Sequence, residues 1–378
     1  MKPQRLLSLD AFRGFTIAAM LLVNNPGDWG HLYGPLEHAK WNGWTFTDWI
    51  FPFFVFISGL SMTISLGRRA TAGDDRGRLL LTTLRRGATI VLIGLVLNWI
   101  PNFDFTTLRW PGVLQRLGLC TMLAAPIVLY CGRRGQALWL IALLAVYSLI
   151  QLCLSVPDAQ GLLHTGSLLP GEDAGAWLDR LLMNGHLWSQ SRTWDPEGLL
   201  STLPALASQL AGVLAGHWLA DRRAPAEKAP WFMVAGLACL WIGELLDAWL
   251  MPINKSLWTP SYVFAMAGWA NLMFGLFYWL LDANPRLALR QRLGRLAHPL
   301  VVFGMNALFI FAFSGLVAKM LGFINFGEGR SLKAVIYAPM QALGMSPVNT
   351  SLLFALVFVA AMYAVCWALW KRRIFIKV

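Results

Sequence analysis

The sequence predicts an all-α protein: a polytopic integral membrane bundle of about ten transmembrane helices, forming a single domain over residues 1–378. Two features of the composition carry this prediction. Of the 378 residues 57% are hydrophobic and only 13% are charged, whereas a soluble domain carries about 25% charged residues. The mean hydropathy is +0.55. The apolar stretches also run for about 20 residues without alternation, which indicates helices rather than the strands of a barrel.

Ten apolar stretches are predicted to cross the membrane. Their predicted bounds are 9–25, 46–66, 85–101, 111–131, 136–155, 198–220, 230–250, 259–282, 298–321 and 350–371. With this arrangement, most of the 31 Lys and Arg residues fall in loops on one side. Positively charged loops face the cytoplasm. We therefore predict that both termini are cytoplasmic and that the loop containing His38 faces outward.

The charge and cysteine content argue against two classes of partner. A net charge of +12 would suggest nucleic acid in a soluble protein, but here the basic clusters are short and lie between predicted spans. We therefore expect no nucleic-acid partner. The five Cys residues are scattered, and neither they nor the six His residues show the spacing of metal ligands. The sequence predicts no metal site.

Polar residues at the ends of the first two spans are the main candidates for chemistry. Asp10 and Arg13 are three residues apart at the start of the first helix, so we expect them to pair. Asn24 ends that helix on the outer side. His38 and Asp48 lie in the next loop and in the second span. An imidazole exchanges protons near neutral pH, and we predict that the loop folds back so that Asp48 orients His38.

Two further regions carry polar groups close to the membrane. Arg116 lies near the start of the fourth span, where its guanidinium could bind an anion, pair with a carboxylate or reach the interface. The outer loop 156–197 is about 40 residues long, a length that is uncommon for a loop without a function. Its last residues, Trp194-Asp-Pro-Glu-Gly198, predict a helix start.

Several motifs together resemble the heparan-α-glucosaminide N-acetyltransferase family, including its bacterial members. They occur in the same order over nearly the whole chain. These motifs are Leu9-Asp-Ala-Phe-Arg-Gly14, Val23-Asn24, His38-Ala-Lys-Trp-Asn-Gly43, Asp48-Trp-Ile-Phe-Pro-Phe-Phe-Val-Phe-Ile-Ser-Gly59, Pro111-Gly-Val-Leu-Gln-Arg116, Asp195-Pro-Glu-Gly-Leu-Leu-Ser-Thr-Leu-Pro204, Asn254-Lys-Ser-Leu-Trp258 and Pro299 through Asn306. The element His-x-x-Trp-Asn-Gly is the most specific of them.

The resemblance implies that the chain transfers an acetyl group from cytosolic acetyl-CoA to the amine of a terminal glucosamine on the far side of the membrane. The active His of the family falls on His38, and its active Asn falls on Asn24. His38 is then expected to act as a general base or as an acetyl carrier, two routes that the sequence leaves open. Asn24 would stabilise the oxyanion, and Asp48 would hold the imidazole tautomer.

The binding residues implied by this reading form two groups. Acetyl-CoA, the co-substrate, is expected to contact Arg116, Arg85, Arg86 and Asn42. The sugar is expected to contact Glu197, Asn254, Lys255 and Trp258, with the Trp258 indole stacked on the pyranose ring. Membrane lipid surrounds the chain in this reading, and a second copy of the chain, forming a homodimer, is a further candidate partner.

Two alternatives remain at this point. A secondary transporter for amino sugars would have the same composition, and an O-acyltransferase acting on an exported polysaccharide would keep the chemistry and change the acceptor. For all three readings the expected location is a multi-pass position in the membrane, and the resemblance suggests the inner membrane of a bacterium.

Overall fold

The architecture is a bundle of helices, as the composition predicts. The structure is a computed structural model that describes residues 6–327 and 330–376. Within these ranges the only sheet is a two-stranded hairpin in which β1 (Ser155–Pro157) pairs antiparallel with β2 (Leu163–Thr165), with Val156 opposite His164. The all-α, polytopic fold class is confirmed.

Fifteen α-helices are described, in chain order. They are α1 (Leu7–Asn24), α2 (Phe46–Met62), α3 (Arg68–Thr71), α4 (Arg76–Trp99), α5 (Val113–Tyr130), α6 (Arg133–Cys153), α7 (Ala174–Met183), α8 (Thr202–Leu219), α9 (Pro225–Trp249), α10 (Pro260–Tyr278), α11 (Leu287–Leu296), α12 (His298–Met305), α13 (Ala307–Phe323), α14 (Leu332–Gln341) and α15 (Pro347–Lys371). A turn of π-helix, Thr63–Gly67, joins α2 to α3.

The number of membrane spans depends on how two helical regions are counted. In the described part of the chain, eight helices are long and apolar enough to cross a membrane, and α12 with α13 makes a ninth if the pair counts as one span. The remaining predicted span, 198–220, coincides with α8, which falls outside that set. Its buried Ser208 and Gln209 make it more polar. Because α8 packs against α2, α5, α6 and α10, its polar groups face protein rather than lipid.

The predicted span 298–321 is not a straight helix. The axes of α12 and α13 differ by 81° at a break beside Asn306. The Asn306 side chain is buried and forms two hydrogen bonds with the backbone of the C-terminal segment. Its Nδ2 donates to the carbonyl oxygen of Ile374 over 3.1 Å, and its Oδ1 accepts from the backbone N–H of Ile376 over 2.8 Å. The C-terminal segment is thereby held against the broken helix.

The long outer loop is largely structured, and its end differs from the prediction. It contains β1, β2 and α7. The following helix begins at Thr202 rather than near Asp195, so the predicted helix start is wrong. The reason is that the carbonyl oxygens of Pro196 and Gly198 accept hydrogen bonds from the buried guanidinium of Arg116. Those contacts hold the segment in a turn.

Small residues allow α2 and α8 to approach closely at the centre of the bundle. A Cβ placed on Gly59 would lie 1.9 Å from the backbone oxygen of Gln209, and one placed on Gly212 would lie 2.0 Å from that of Phe56. Close contact of backbones through small residues is a common basis of helix association in membranes. The position of α2 therefore depends on these two glycines.

We predict that Gly59→Ala lowers the thermal unfolding midpoint of the protein purified in detergent. The added methyl group has no space, and overpacking of this kind costs about 1–3 kcal/mol or more. Gly315→Ala is the matched control, since nothing lies within 4 Å of the position its Cβ would take. Equal midpoints for the two variants would contradict the close contact between α2 and α8.

Candidate active site

His38 and Asp48 meet where the outer loop enters α2. His38 Nδ1 lies 2.7 Å from Asp48 Oδ1, so the predicted contact is confirmed. The Asp48 side chain is 1% exposed, whereas that of His38 is 48% exposed. The carboxylate is therefore enclosed, and the imidazole that it holds stays open to the surface.

The local sequence explains why Asp48 is ionised and fixed. Thr45 is the N-cap of α2 and forms a capping box with Asp48. Asp48 Oδ2 accepts from the backbone N–H groups of Ala39 and Thr45, each over 3.0 Å. The first turn of a helix also favours a negative charge. An ionised Asp48 assigns the ring proton of His38 to Nδ1, which leaves Nε2 free to accept.

A proline in α2 creates a third anchor for this site. Pro52 lies four residues after Asp48 and has no N–H, so the Asp48 carbonyl oxygen lacks its normal helical donor. The Tyr262 hydroxyl on α10 donates to that oxygen over 2.6 Å. The start of α2 is thus tied to α10 at the residue that orients His38.

Lys255 lies directly against the imidazole. Its Nζ is 3.2 Å from Nδ1 and 3.3 Å from Nε2 of His38, and 4.0 Å from Oδ1 of Asp48. Burial lowers the pKa of the Lys255 ammonium below its usual value, and the carboxylates of Glu197 and Asp48 offset this only in part. The distances show that Lys255 contacts the candidate base, in addition to any role in binding sugar.

The turn that carries Lys255 is fastened to the His38 loop. Asn42 and Asn254 form an isolated β-bridge, and Asn254 Nδ2 donates to Asn42 Oδ1 over 3.1 Å. The Gly43 N–H also donates to the Ile253 carbonyl oxygen over 2.7 Å. Asn42 was expected to bind CoA and Asn254 to bind sugar. The structure uses both to join two loops, and Asn254 is fully buried.

Trp258 is not placed to stack on a sugar. Its side chain is 1% exposed, and its indole N–H donates to Ser208 Oγ over 3.0 Å. The Arg116 guanidinium lies 5.1 Å from the ring centroid. This corrects the expectation from the sequence: Trp258 is a core residue that packs beneath the site.

Arg116 is likewise taken up by the protein itself. It is 1% exposed, and its guanidinium donates to the carbonyl oxygens of Pro196 and Gly198 over 3.0 and 2.9 Å and to Ser201 Oγ. A guanidinium occupied in this way does not offer its fork to a phosphate. Arg116 therefore holds the end of the long loop over the bundle, in place of the expected contact with CoA.

A buried ion network missed by the sequence reasoning lies beside Lys255. Arg109 donates to both oxygens of Asp195 over 2.8 and 2.6 Å and to Glu197 over 2.6 Å. Burial by itself would raise the pKa of Glu197, but Arg109, Arg116 and Lys255 outweigh it and hold this pKa below its usual value. The signal for this network in the sequence was the pair Asp195 and Glu197 on either side of Pro196, together with Arg109 two residues before Pro111.

Asn24 lies at the same end of the bundle as His38, at the C-terminus of α1. The preceding residue, Val23, belongs to an apolar cluster with Ile50 of α2. Asn24 is exposed, whereas the side chain of Asn25 donates to the Leu21 carbonyl oxygen and caps the helix. Among the described residues, no hydrogen bond joins the Asn24 side chain to His38.

A cavity of about 660 Å³ opens at the opposite end of the bundle. Along α2 its lining runs from Phe54 through Ser58 and Ser61 and continues beyond the helix to Arg69. It is also lined by Arg13, whose predicted ion pair with Asp10 is confirmed at 3.4 Å. Helices α4 and α5 and the C-terminal segment complete the lining with Arg86, Thr121, Phe375 and Ile376.

The two arginines on α4 that were expected to bind CoA differ in position. Arg86 lines the cavity and Arg85 does not. Arg13 and Arg69, which also line it, were not among the expected CoA ligands. They could not be selected from the sequence, because basic residues near the cytoplasmic ends of helices are common for reasons of topology alone.

Comparison with known proteins points to one family. A family model described as heparan-alpha-glucosaminide N-acetyltransferase, catalytic, matches residues 5–244. The proteins named heparan-alpha-glucosaminide N-acetyltransferase from Homo sapiens and Mus musculus are 29% and 28% identical to this chain over 336 and 334 residues. These alignments cover 75% and 74% of the chain and 50% of each relative, so the chain spans about half the length of those relatives.

We predict that Arg109→Met destabilises the protein, most strongly at neutral pH. The side chains of Asp195 and Glu197 are 0% and 8% exposed, and removing one partner of a buried pair costs about 3–5 kcal/mol. Arg109 helps to hold the pKa of Glu197 low, which is a contribution to stability that is present at neutral pH and is lost as the pH falls. The difference in thermal unfolding midpoint between the wild type and Arg109→Met should therefore shrink as the pH falls towards about 4.

The measurement is the thermal unfolding midpoint at both pH values in detergent. Arg192→Met serves as the control, because Arg192 is exposed in the loop that carries Asp195 and Glu197. A deficit for Arg109→Met that stays constant with pH would argue against ionised carboxylates in this network.

Proposed function

The chain belongs to the heparan-α-glucosaminide N-acetyltransferase family, because the catalytic model of that family matches more than half of its residues, and from this premise we propose its activity. We propose that the chain is a transmembrane N-acetyltransferase that moves an acetyl group from acetyl-CoA to the amine of glucosamine or of a glucosamine-terminated sugar. One observation carries the proposal: α2 holds the His38–Asp48 pair at one end, while its other end lines a basic cavity.

The distribution of charge supports the direction of transfer. The loops predicted to be cytoplasmic are those at the cavity end, where Arg68, Arg69 and Arg76 follow α2. The His38 end then faces the periplasm or its equivalent. In this arrangement the donor enters from the cytosol and the acceptor approaches the exposed imidazole from outside.

The cavity suits a donor of the size and charge of acetyl-CoA. The guanidinium groups of Arg13, Arg69 and Arg86 line its walls together with the carboxylate of Asp10. Arg13 pairs with Asp10, and Arg69 pairs with Asp74 outside the cavity lining. The lining is therefore basic on balance, and arginine is well suited to bind phosphate. Phe54 and Arg69 are 15 residues apart along α2 and its extension, a separation of about 22 Å at 1.5 Å per residue. That length suits a nucleotide at the mouth with an extended arm reaching inward.

A short apolar layer separates the deep end of the cavity from the His38 pair. Phe54 lies six residues after Asp48, or about 9 Å along the helix axis. Phe54 packs in this layer with Ile50 and Phe311. A thioester carried to Phe54 must pass this layer to reach the imidazole, so we propose that these side chains move when the donor binds.

His38 supplies the proton transfer or carries the acetyl group. With Nδ1 bonded to Asp48, Nε2 can take a proton from the amine as it attacks the thioester carbonyl; the C–S bond then breaks and the CoA thiolate leaves with that proton as the thiol. In the other route, Nε2 attacks the carbonyl first and expels the CoA thiolate, and the amine then takes the acetyl group from Nε2 and gives up its proton to the thiolate. Both routes require Nε2 to be unprotonated. Asn24, exposed at the same end, would donate to the oxyanion formed during attack, an interaction worth roughly 3 kcal/mol.

For the acceptor, the proposed contacts are Lys255 and Glu197. Among the four residues first expected to bind sugar, these two keep accessible side-chain surface, 19% and 8%. Lys255 contacts His38, and Glu197 is close enough to Lys255 for their charges to interact. A sugar held by these two side chains would present its amine to the imidazole.

A secondary transporter is the second candidate function, and one observation favours it. The 81° break between α12 and α13 resembles the discontinuous helices at transport sites. Transporters of that type carry such helices in two related halves, and the described residues contain one bent pair. An O-acyltransferase would use the same two ends of α2 with a hydroxyl acceptor.

Purified protein in detergent, incubated with labelled acetyl-CoA and a panel of acceptors, tests the proposal. An enzyme forms N-acetylglucosamine without a sealed compartment, whereas a transporter forms no product. Product with polysaccharide hydroxyls and none with glucosamine would favour the O-acyl alternative. Absence of product with every acceptor, while amino sugar crosses reconstituted vesicles, would overturn the acetyltransferase reading.

We predict that His38→Ala abolishes acetyl transfer, by at least about 10²-fold, without loss of folded protein. His31→Ala is the matched control: His31 also lies at the outer end, and its Nδ1 is also 2.7 Å from a carboxylate, that of Asp28. Initial rates in detergent measure both variants. Near-normal rates for His38→Ala, or an equal loss for His31→Ala, would remove the assigned role.

We predict that Arg86→Met raises the KM for acetyl-CoA by about 10- to 10²-fold, with a smaller effect on the KM for the sugar. Loss of one charge-assisted hydrogen bond to phosphate costs about 1.5–3 kcal/mol. Arg85→Met is the control, because Arg85 adjoins Arg86 in sequence and does not line the cavity. Equal effects of the two changes would place the nucleotide elsewhere.

A further inference from the structure

The position of Lys255 is unusual for a residue that only binds substrate. Its Nζ lies within 3.3 Å of both ring nitrogens of His38, and its side chain is 19% exposed. With the ring proton on Nδ1, Nε2 is the ring nitrogen that can accept from the ammonium, which lies about equally far from the two nitrogens. The cation is therefore next to the nitrogen atom that the proposed reaction uses.

The backbone leaves Lys255 little freedom to be elsewhere. The N–H of Leu257 donates to Asn254 Oδ1, and the N–H of Trp258 donates to the Lys255 carbonyl oxygen. Trp258 has a φ of +56° and a buried indole, which fixes the exit from the turn. The bridge to Asn42 then sets the distance of the turn from the His38 loop.

The charges around the imidazole oppose each other. Asp48 favours a protonated ring through Nδ1, and Lys255 disfavours it through Nε2. Glu197 faces Lys255 and is itself paired with Arg109. Within the described residues, Glu37 and Lys40 flank His38 in the loop but form no ion pair with it, and both are exposed. Lys255 is thus the cation that contacts the ring.

We propose that Lys255 is a positioning residue that keeps Nε2 of His38 unprotonated, and hence ready to accept a proton or an acetyl group. The catalytic part of this role rests on the proposed function, but the protonation of the His38 ring can be measured without any enzymatic activity. An ammonium beside Nε2 adds electrostatic work to a second proton on the ring. When the acceptor amine binds at Nε2 and displaces the Lys255 ammonium, the Glu197 carboxylate can pair with that ammonium.

The first test is the pH profile of kcat/KM for acetyl transfer. In Lys255→Met the ring keeps Asp48 and loses the opposing cation, so the acid limb of the profile should move to higher pH, by about one unit. Lys255→Arg should restore the wild-type limb. Lys40→Met is the control and should leave the profile unchanged.

The second test does not need enzymatic activity. Diethyl pyrocarbonate reacts with the neutral imidazole, and mass spectrometry of the His38 peptide gives its rate of modification at each pH. The pH at which the modification rate of His38 is half-maximal should rise in Lys255→Met by the same amount as the acid limb of the kcat/KM profile. His31 serves as an internal reference. Lys255→Gln replaces Lys255→Met if the latter does not fold.

The outcomes separate the two proposals. An inactive wild-type protein whose His38 midpoint shifts in Lys255→Met would overturn the acetyltransferase and keep the role of Lys255. An active protein whose midpoint and acid limb stay unchanged, or fall, in Lys255→Met would overturn the role of Lys255 and keep the acetyltransferase.

Discussion

The carboxylate of Asp48 is the group on which the rest of the site depends. It caps α2 through Thr45, accepts from the Ala39 N–H and holds His38. Because these contacts share one buried side chain, the orientation of the imidazole is set by the same bonds that start the helix. A polar network at low dielectric is costly when only partly satisfied, so the loop cannot shift without breaking the cap. Tyr262 adds a bond to the carbonyl oxygen freed by Pro52.

A second set of buried charges, centred on Arg116 and Arg109, holds the long outer loop against the bundle. Arg116 binds carbonyl oxygens of the long loop, and Arg109 pairs with Asp195 and Glu197. Each cation is matched by acceptors of this chain, as burial of charge requires. Arg116 was expected to bind an anion because a guanidinium in a membrane protein suggests one. The same residue type satisfies a loop here, and only the contacts distinguish the two roles.

Helix α2 connects the two ends of the proposed reaction. Its glycine contacts with α8 fix its path through the bundle, its first turn holds Asp48, and residues from Phe54 onward line the basic cavity. The short apolar layer between them keeps the two ends apart in this conformation. The arrangement joins a polar site at one surface to a cavity at the other along a single element, which is what transfer across a membrane needs.

The sequence by itself determined the helical membrane fold, because hydropathy is a local property. It offered the pairing of His38 with Asp48 as a hypothesis, since the two are ten residues apart at a helix start, and the folded loop made the contact. It also named Lys255 and Glu197 as expected sugar contacts on the outer side, but their closeness to His38 came from the fold. Tertiary structure alone decided that Asn254 and Trp258 are buried, that Arg86 rather than Arg85 lines the cavity, and that the span beside Asn306 is broken. Those outcomes depend on which faces of distant helices meet, and residue type does not encode a partner that lies far away in the chain.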